Sequence, residues 1–221
     1  MSRKKIRDHY APRIRPNAPG WEILDWASEA AQHKRFETLV RLLKRMTGFQ
    51  PVLSPRCVSD RLKTCHPLTL LDVGCGTADL FPFLQKEMPL LRYTGVDLLP
   101  EIINEAKRRH PYATLSQANI FEETIFPPRS FDVVFCSGVF NLELGNNDDF
   151  LARALPVLWE LANCVVVVNL LHERAFTKFG SCHYYKPSDV LALCHKLTPR
   201  VTFDDTYLGN DFTVALWRDD N

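Results

Sequence analysis

Leu68 to Leu80 reads LTLLDVGCGTADL, and this stretch constrains the fold most tightly. An apolar run ends in Asp72, and Gly74 and Gly76 follow at once. A buried strand that breaks into a tight glycine turn before a helix is a device for holding an adenosine cofactor. Lacking Cβ atoms, Gly74 and Gly76 let the backbone take positive φ and let a ligand approach closely.

A GxG turn by itself also serves as a plain strand-to-helix connection, so the sequel decides. Arg92 to Asp97 (RYTGVD) reads as a second short strand ending in an acid. It lies about 20 residues beyond the glycines, where a carboxylate accepts both hydroxyls of a ribose. The dinucleotide fingerprint GxGxxG needs glycine at position 79, and Asp79 stands there instead. Its carboxylate would sit where a pyrophosphate docks on helix amides, which argues against a nicotinamide enzyme.

From Leu68 onward strands and helices alternate, the pattern of a parallel sheet covered on both faces. The strands read as Leu68–Asp72, Arg92–Asp97, Ala113–Asn119, Phe131–Ser137 and Asn163–Leu171. Helices are expected over Ala78–Met88, Pro100–Arg109, Asp148–Leu161 and Pro187–His195. Arg200–Leu208 and Asp211–Arg218 flank Gly209-Asn210, a hairpin signal. Ahead of this, Trp21 to Met46 reads as one helix, with Phe36, Leu39, Val40 and Leu43 on a buried face and Gly48 as its stop. Phe49 to Pro67 has three prolines and no periodicity, so it reads as a connecting loop. Met1 to Gly20 carries six Arg or Lys against a single Asp8, and reads as a solvated, partly disordered arm.

At 221 residues and 46% hydrophobic, the chain suits one domain with an N-terminal addition. Lys and Arg number 27 against 26 acids, so no global field draws in nucleic acid. Apolar runs are strand-length, far below the roughly 20 residues of a membrane span, and the basic N-terminus lacks a secretory signal's apolar core. Seven cysteines, several in apolar surroundings, suit reduced thiols in a cytoplasmic enzyme. Cys57, Cys65 and His66, with Cys182 and His183, lack the close pairing of a zinc site, so no metal is expected.

Asp72 to Ala78 (DVGCGTA), followed by Asp97 in GVDLLPEII, resembles the first two motifs of the class I S-adenosylmethionine-dependent methyltransferases. Ala78 stands where that family usually has a third glycine. The likeness covers residues 68 to 218, and the antiparallel ending supports it independently. It implies a Rossmann-like, doubly wound seven-stranded sheet over 68–221, mostly parallel with an antiparallel C-terminal hairpin. Residues 1–67 would supply the basic arm, a helical cap and a linker. The resemblance places Asp72, Gly74, Cys75 and Gly76 at the amino-acid end of S-adenosylmethionine and Asp97 on its ribose. Leu98, Asn119 and Ile120 fall at the adenine, and Ser137 and Gly138 near the sulfonium. Trp26, Gln32 and Arg35 lie in a run similar to the segment ahead of the core in some small bacterial methyltransferases, and are expected to shape the substrate pocket.

Glu143, His172, Glu173, His183, Tyr184 and Tyr185 follow strands four and five and are the candidate bases. His172 is the preferred base because it titrates near neutrality, with Tyr184 or Tyr185 shaping the pocket. SGVFN after strand four lacks the Asn/Asp-Pro-Pro-aromatic motif of amino-methylating nucleic-acid enzymes. No Pro-Cys follows that strand for cytosine C5 chemistry, and Ser137 and Asn169 do not offer the carboxylates of a magnesium-dependent catechol enzyme. Metal-independent transfer to oxygen or nitrogen of a small molecule is the expectation. An RNA methyltransferase using the basic arm, and a non-catalytic binding module, are the alternatives.

Overall fold

Val165 to Val168 are wholly buried, so helices cover both faces of the strand that carries them. The structure, a computed structural model, describes residues 3–47 and 67–218. The described chain opens with α1 (Arg3–Tyr10), a 3-10 turn (Ala11–Arg13), α2 (Gly20–Ile23) and α3 (Glu29–Thr47). Next come β1 (Thr69–Val73), α4 (Leu80–Glu87), β2 (Arg92–Asp97) and α5 (Pro100–Arg109). β3 (Thr114–Gln117), β4 (Phe131–Ser137), α6 (Asn147–Leu161) and β5 (Ala162–Leu171) follow, then α7 (Pro187–His195), β6 (Val201–Asp204) and β7 (Asp211–Trp217).

The strands form one sheet in the order β3-β2-β1-β4-β5-β7-β6. β1 to β5 pair in parallel, and β7 runs antiparallel between β5 and β6. Burial explains why the second strand of the hairpin, not the first, joins β5. Asp211 to Leu216 are all buried, as an interior strand demands, while β6 is partly exposed and takes the edge. The sheet is therefore the mostly parallel, doubly wound one expected, with its antiparallel ending.

One face packs on α6 and α7 through Phe150, Leu151, Leu155, Leu158 and Val190. The other packs on α4 and α5 through Leu80, Leu84 and Ile103, and α3 joins that layer with Leu39 and Leu43. The helix expected over Trp21–Met46 is broken at Leu24–Ser28. Asp25 takes φ +58°, and the Ser28 hydroxyl accepts the Ala31 N–H at 3.1 Å, starting a new helix. The arm expected to be solvated is instead folded from Arg3 onward: Ile6, Tyr10 and Ile14 pack beside Ala18, Ile23, Leu99 and Ile102. Gly48, Cys57, Cys65, His66 and the loop expected over Phe49–Pro67, except Pro67 itself, lie outside the described residues. No helix among the described residues is long and apolar enough to cross a membrane.

Two buried polar arrangements tie these layers together at the carboxyl ends of the strands. Arg35 of α3 pairs with Asp211 at the start of β7 at 2.5 Å, both side chains being almost fully buried. Arg35 Nε also donates to Asn169 Oδ1 of β5 at 3.1 Å, and Nη1 to the Ala31 carbonyl at 2.7 Å. At the end of β1, the Tyr93 hydroxyl donates to Asp72 at 2.7 Å, and burial raises the Asp72 carboxyl to about 7.

Removing one partner of a buried pair strands the other, at a cost of about 3–5 kcal/mol. Arg35→Ala should lower the unfolding free energy by that order in urea titrations, and Arg35→Lys should restore little of it, having no planar fork. Asp72 is raised above its unfolded value near 4, so its contribution is complete below that pH and fades as pH rises through 7. Unfolding measured from pH 4 to 8 should show stability falling at up to about 1.4 kcal/mol per unit from this group, and Asp72→Asn should flatten that slope.

Candidate functional site

The strand order reverses between β1 and β4, and ligands of open α/β sheets lie outside the carboxyl ends at that point. A cavity of about 600 Å³ opens there, a size that suits a cofactor together with a small substrate. Gly74 and Gly76 from the β1–α4 turn, Asp97 and Leu98 from β2, Asn119 and Ile120 after β3, and Ser137 and Gly138 from β4 all line it.

The turn after β1 is built as its sequence requires. Gly74 and Gly76 adopt φ +70° and +57°. Ala78, in the third-glycine position, takes φ +59° as well, a conformation that costs an L-residue about 1–2 kcal/mol. Ala78 is fully buried and does not line the cavity. Asp97 locks the turn: Oδ2 accepts the Gly76 N–H at 3.1 Å and Oδ1 the Leu99 N–H at 3.0 Å. Burial raises its carboxyl, and the backbone N–H bonds work against that rise. Each oxygen keeps a lone pair for a further donor. Asn119 Oδ1 accepts the Phe121 N–H at 3.3 Å, and the Ser137 hydroxyl donates to Asn169 at 3.2 Å.

The N-terminal segment closes the cavity. Ile6, His9, Tyr10 and Arg13 line it beside Leu24, Asp25, Trp26 and Arg35. Within the run expected to shape the pocket, Trp26 and Arg35 dock on strand ends and Gln32 on the start of α4. The Trp26 ring lies over the Arg35 guanidinium at 4.1 Å and against Gly138. Arg35 reaches Asn169 and Asp211, while the Gln32 amide donates to Asp79 at 3.2 Å. Asp79 also accepts from Thr77 at 2.9 Å. It therefore anchors the N-terminal segment and does not face the cavity.

Several expected site residues lie elsewhere. Asp72 and Cys75 are buried beneath the turn and do not line the cavity; Gln32 is buried outside it. His172, preferred above as the base, is also outside. Its Nδ1 accepts the Arg174 N–H at 3.1 Å, its ring meets Phe212 edge-on at 5.4 Å, and burial lowers its pKa. Tyr184 does line the cavity, with its hydroxyl accepting the Phe179 N–H at 2.9 Å. Tyr185 faces away and donates to the Phe140 carbonyl at 3.0 Å. Among residues not anticipated, Asn141, Thr177, Phe179 and Cys182 also line the cavity.

No group of three His, Cys, Asp or Glu among the described residues is arranged to hold a metal ion.

Residues 70–160 match the family model described as methyltransferase domain. The chain is similar to trans-aconitate 2-methyltransferases of Rhodopseudomonas palustris. Strain BisB5 gives 29% identity over 119 residues, 53% of this chain and 40% of that one. Strain BisB18 gives 35% identity over the same shares. The chain thus spans about 40% of the length of these relatives. In fold it is similar to a magnesium protoporphyrin IX methyltransferase from Synechocystis PCC 6803 with bound S-adenosylhomocysteine. That comparison has a TM-score of 0.62 at 12% identity, covering 97% of this chain and 95% of the other. A bacterial Hen1 methyltransferase domain gives a TM-score of 0.57 at 15% identity, covering 85% and 99%. The glycine turn, the acid closing β2 and the inserted antiparallel β7 agree with these likenesses: residues 70–160 match a methyltransferase domain, and the described chain has the fold of the class I S-adenosylmethionine-dependent methyltransferases.

Proposed function

We propose that the chain transfers a methyl group from S-adenosylmethionine to oxygen or nitrogen of a small-molecule acceptor, without a metal. The observation that carries this reading is Asp97. A half-buried carboxylate at the end of β2, held by the Gly76 and Leu99 amides, faces a cavity roomy enough for an adenosyl compound. Leu98, Ala118 and Ile120 offer apolar surfaces for a flat base, and Asn119 an amide at its edge. Gly74 and Gly76 keep the loop low beneath the amino-acid end. These residues fit S-adenosylmethionine and are assigned to it. Asp72 and Cys75 support the loop from below.

The cofactor supplies an electrophilic methyl on a sulfonium, which the acceptor takes by in-line displacement as the carbon–sulfur bond breaks and the acceptor proton departs. The chain contributes placement: holding the reacting atoms about 3–3.5 Å apart supplies most of what such a displacement needs. His172 has no part in this reading. Tyr184 is the titratable hydroxyl retained in the acceptor wall. The arginines of the N-terminal segment favour a small acceptor over RNA, because Arg7, Arg13 and Arg15 pair with Glu101, Asp25 and Glu22. A cytoplasmic setting suits the free, buried thiols of Cys75, Cys136 and Cys194.

Calorimetry with S-adenosylhomocysteine is the direct test. Asp97→Ala, which removes two charge-assisted hydrogen bonds to the ribose, should weaken binding roughly 100-fold while leaving the circular dichroism spectrum unchanged. Unchanged affinity would refute the ribose assignment. His172→Gln should keep cofactor affinity, and its methyl-transfer rate should stay within about threefold of the parent; a loss of 100-fold or more would return His172 to the mechanism.

A further inference from the structure

We infer that the acceptor is an uncharged, largely apolar small molecule that presents a hydroxyl or amine hydrogen to Asn141, and not a polycarboxylate. The inference rests on the methyl-transfer reading and concerns the part of the cavity wall that carries Asn141.

Two observations carry it. The first is a buried acceptor with nothing to accept. Asn141 follows β4, is only 9% exposed and lines the cavity, and its Oδ1 is buried with no hydrogen-bond partner. An orphaned polar atom of this kind costs about 1–3 kcal/mol unless a ligand satisfies it. The backbone of the residue is also held in place. Asn141 N–H donates to the Gly138 carbonyl at 3.1 Å, and its carbonyl accepts the His183 N–H at 2.8 Å. The residue is thereby pinned between the end of β4 and the segment that carries Tyr184. Val139, Leu142 and Phe179 make the surroundings apolar.

The second observation concerns the cations. His9, Arg13 and Arg35 are the basic side chains lining the cavity among the described residues. Arg35 spends Nε, Nη1 and Nη2 on Asn169, the Ala31 carbonyl and Asp211. Arg13 contacts Asp25 at 3.1 Å and the His9 carbonyl, and His9 contacts the same Asp25 at 3.0 Å. Each basic side chain that lines the cavity among the described residues is thus already paired, so with Asp97 also facing the space a substrate bearing two or three carboxylates would gain no free cation from them and would lose its hydration. The relatives named trans-aconitate 2-methyltransferases take their name from such an acid. This chain's cavity is built for a different acceptor. For an O–H or N–H nucleophile, a hydrogen bond to Asn141 Oδ1 both satisfies the amide and fixes the direction of the nucleophile's lone pair.

The test uses the full chain saturated with S-adenosylhomocysteine, titrated by ligand-observed NMR with 4-methylphenol, 4-methylaniline and trans-aconitate. The two neutral probes should bind at least about tenfold more tightly than trans-aconitate. Asn141→Leu should weaken the neutral probes about tenfold or more with cofactor-product affinity unchanged, because it removes the acceptor and keeps the volume. Asn141→Ser, which keeps an acceptor oxygen without adding charge, should bind the neutral probes more tightly than the leucine variant does, and unchanged cofactor-product affinity in both variants guards against a folding defect. Binding of trans-aconitate as tight as the phenol, no binding of either neutral probe, or indifference to Asn141→Leu would each overturn the inference. Failure of the parent chain to bind S-adenosylhomocysteine would instead strike down the proposed function, and the inference with it.

Discussion

The Arg35–Asp211 pair is taken almost entirely out of water, and the N-terminal wall of the cavity depends on it. Two buried ions are tolerated only when their remaining hydrogen-bonding groups are also met. Here Asn169 does much of that work. Its Oδ1 takes Arg35 Nε and the Ser137 hydroxyl, while its amide reaches Tyr207, Asp211 and the Phe212 carbonyl. One network thus joins α3, β4, β5 and β7 at the edge where ligands enter. Trp26 is held over Arg35, so the same network also sets the position of the ring against Gly138.

What was legible in the sequence follows from the range of the interactions. The β1 turn, Asp97 and the strand alternation are local patterns, each written within a few residues, and their structure follows directly. Arg35 was visible as a pocket residue, but its partner was not. Asn169 lies 134 residues away, and a hairpin strand beginning with an acid gives no hint that the acid is buried. The order of the hairpin could have been read, since the run after Asp211, apolar but for Thr213, suits an interior strand better than Arg200–Leu208 does. In the N-terminal arm the charge count hides Ile6, Tyr10 and Ile14. Those residues recur every fourth position and form the apolar stripe that packs on α5.

The displaced candidates share one physical reason. Extended backbone turns alternate side chains to opposite sides, so being next to a strand end does not put a side chain in the site. Leu171 lines the cavity, and His172 after it points back against Phe212. Tyr184 lines it, and Tyr185 after it points to the Phe140 carbonyl. The bridge pairing His172 with Tyr185 joins the two residues that face away. In both segments a shift of one residue decides which side chain faces the cavity.

The glycines of the site are constrained from two sides. A Cβ on Gly76 would stand 2.6 Å from Leu24, and one on Gly138 would stand 2.8 Å from Trp26. A Cβ on Gly20 would fall 1.9 Å from Asp79, the acid that also holds Gln32. Room for a ligand therefore explains only part of why these positions carry glycine; the N-terminal segment needs the same space to close. Ala78 makes the point by contrast. It takes a left-handed conformation at a buried position that does not line the cavity, packed in the core layer that α3 shares, so room for a ligand does not explain this third small residue. The motif that organises the fold is thus also the floor on which the N-terminal wall is seated, and the shape of the acceptor space is set jointly by both.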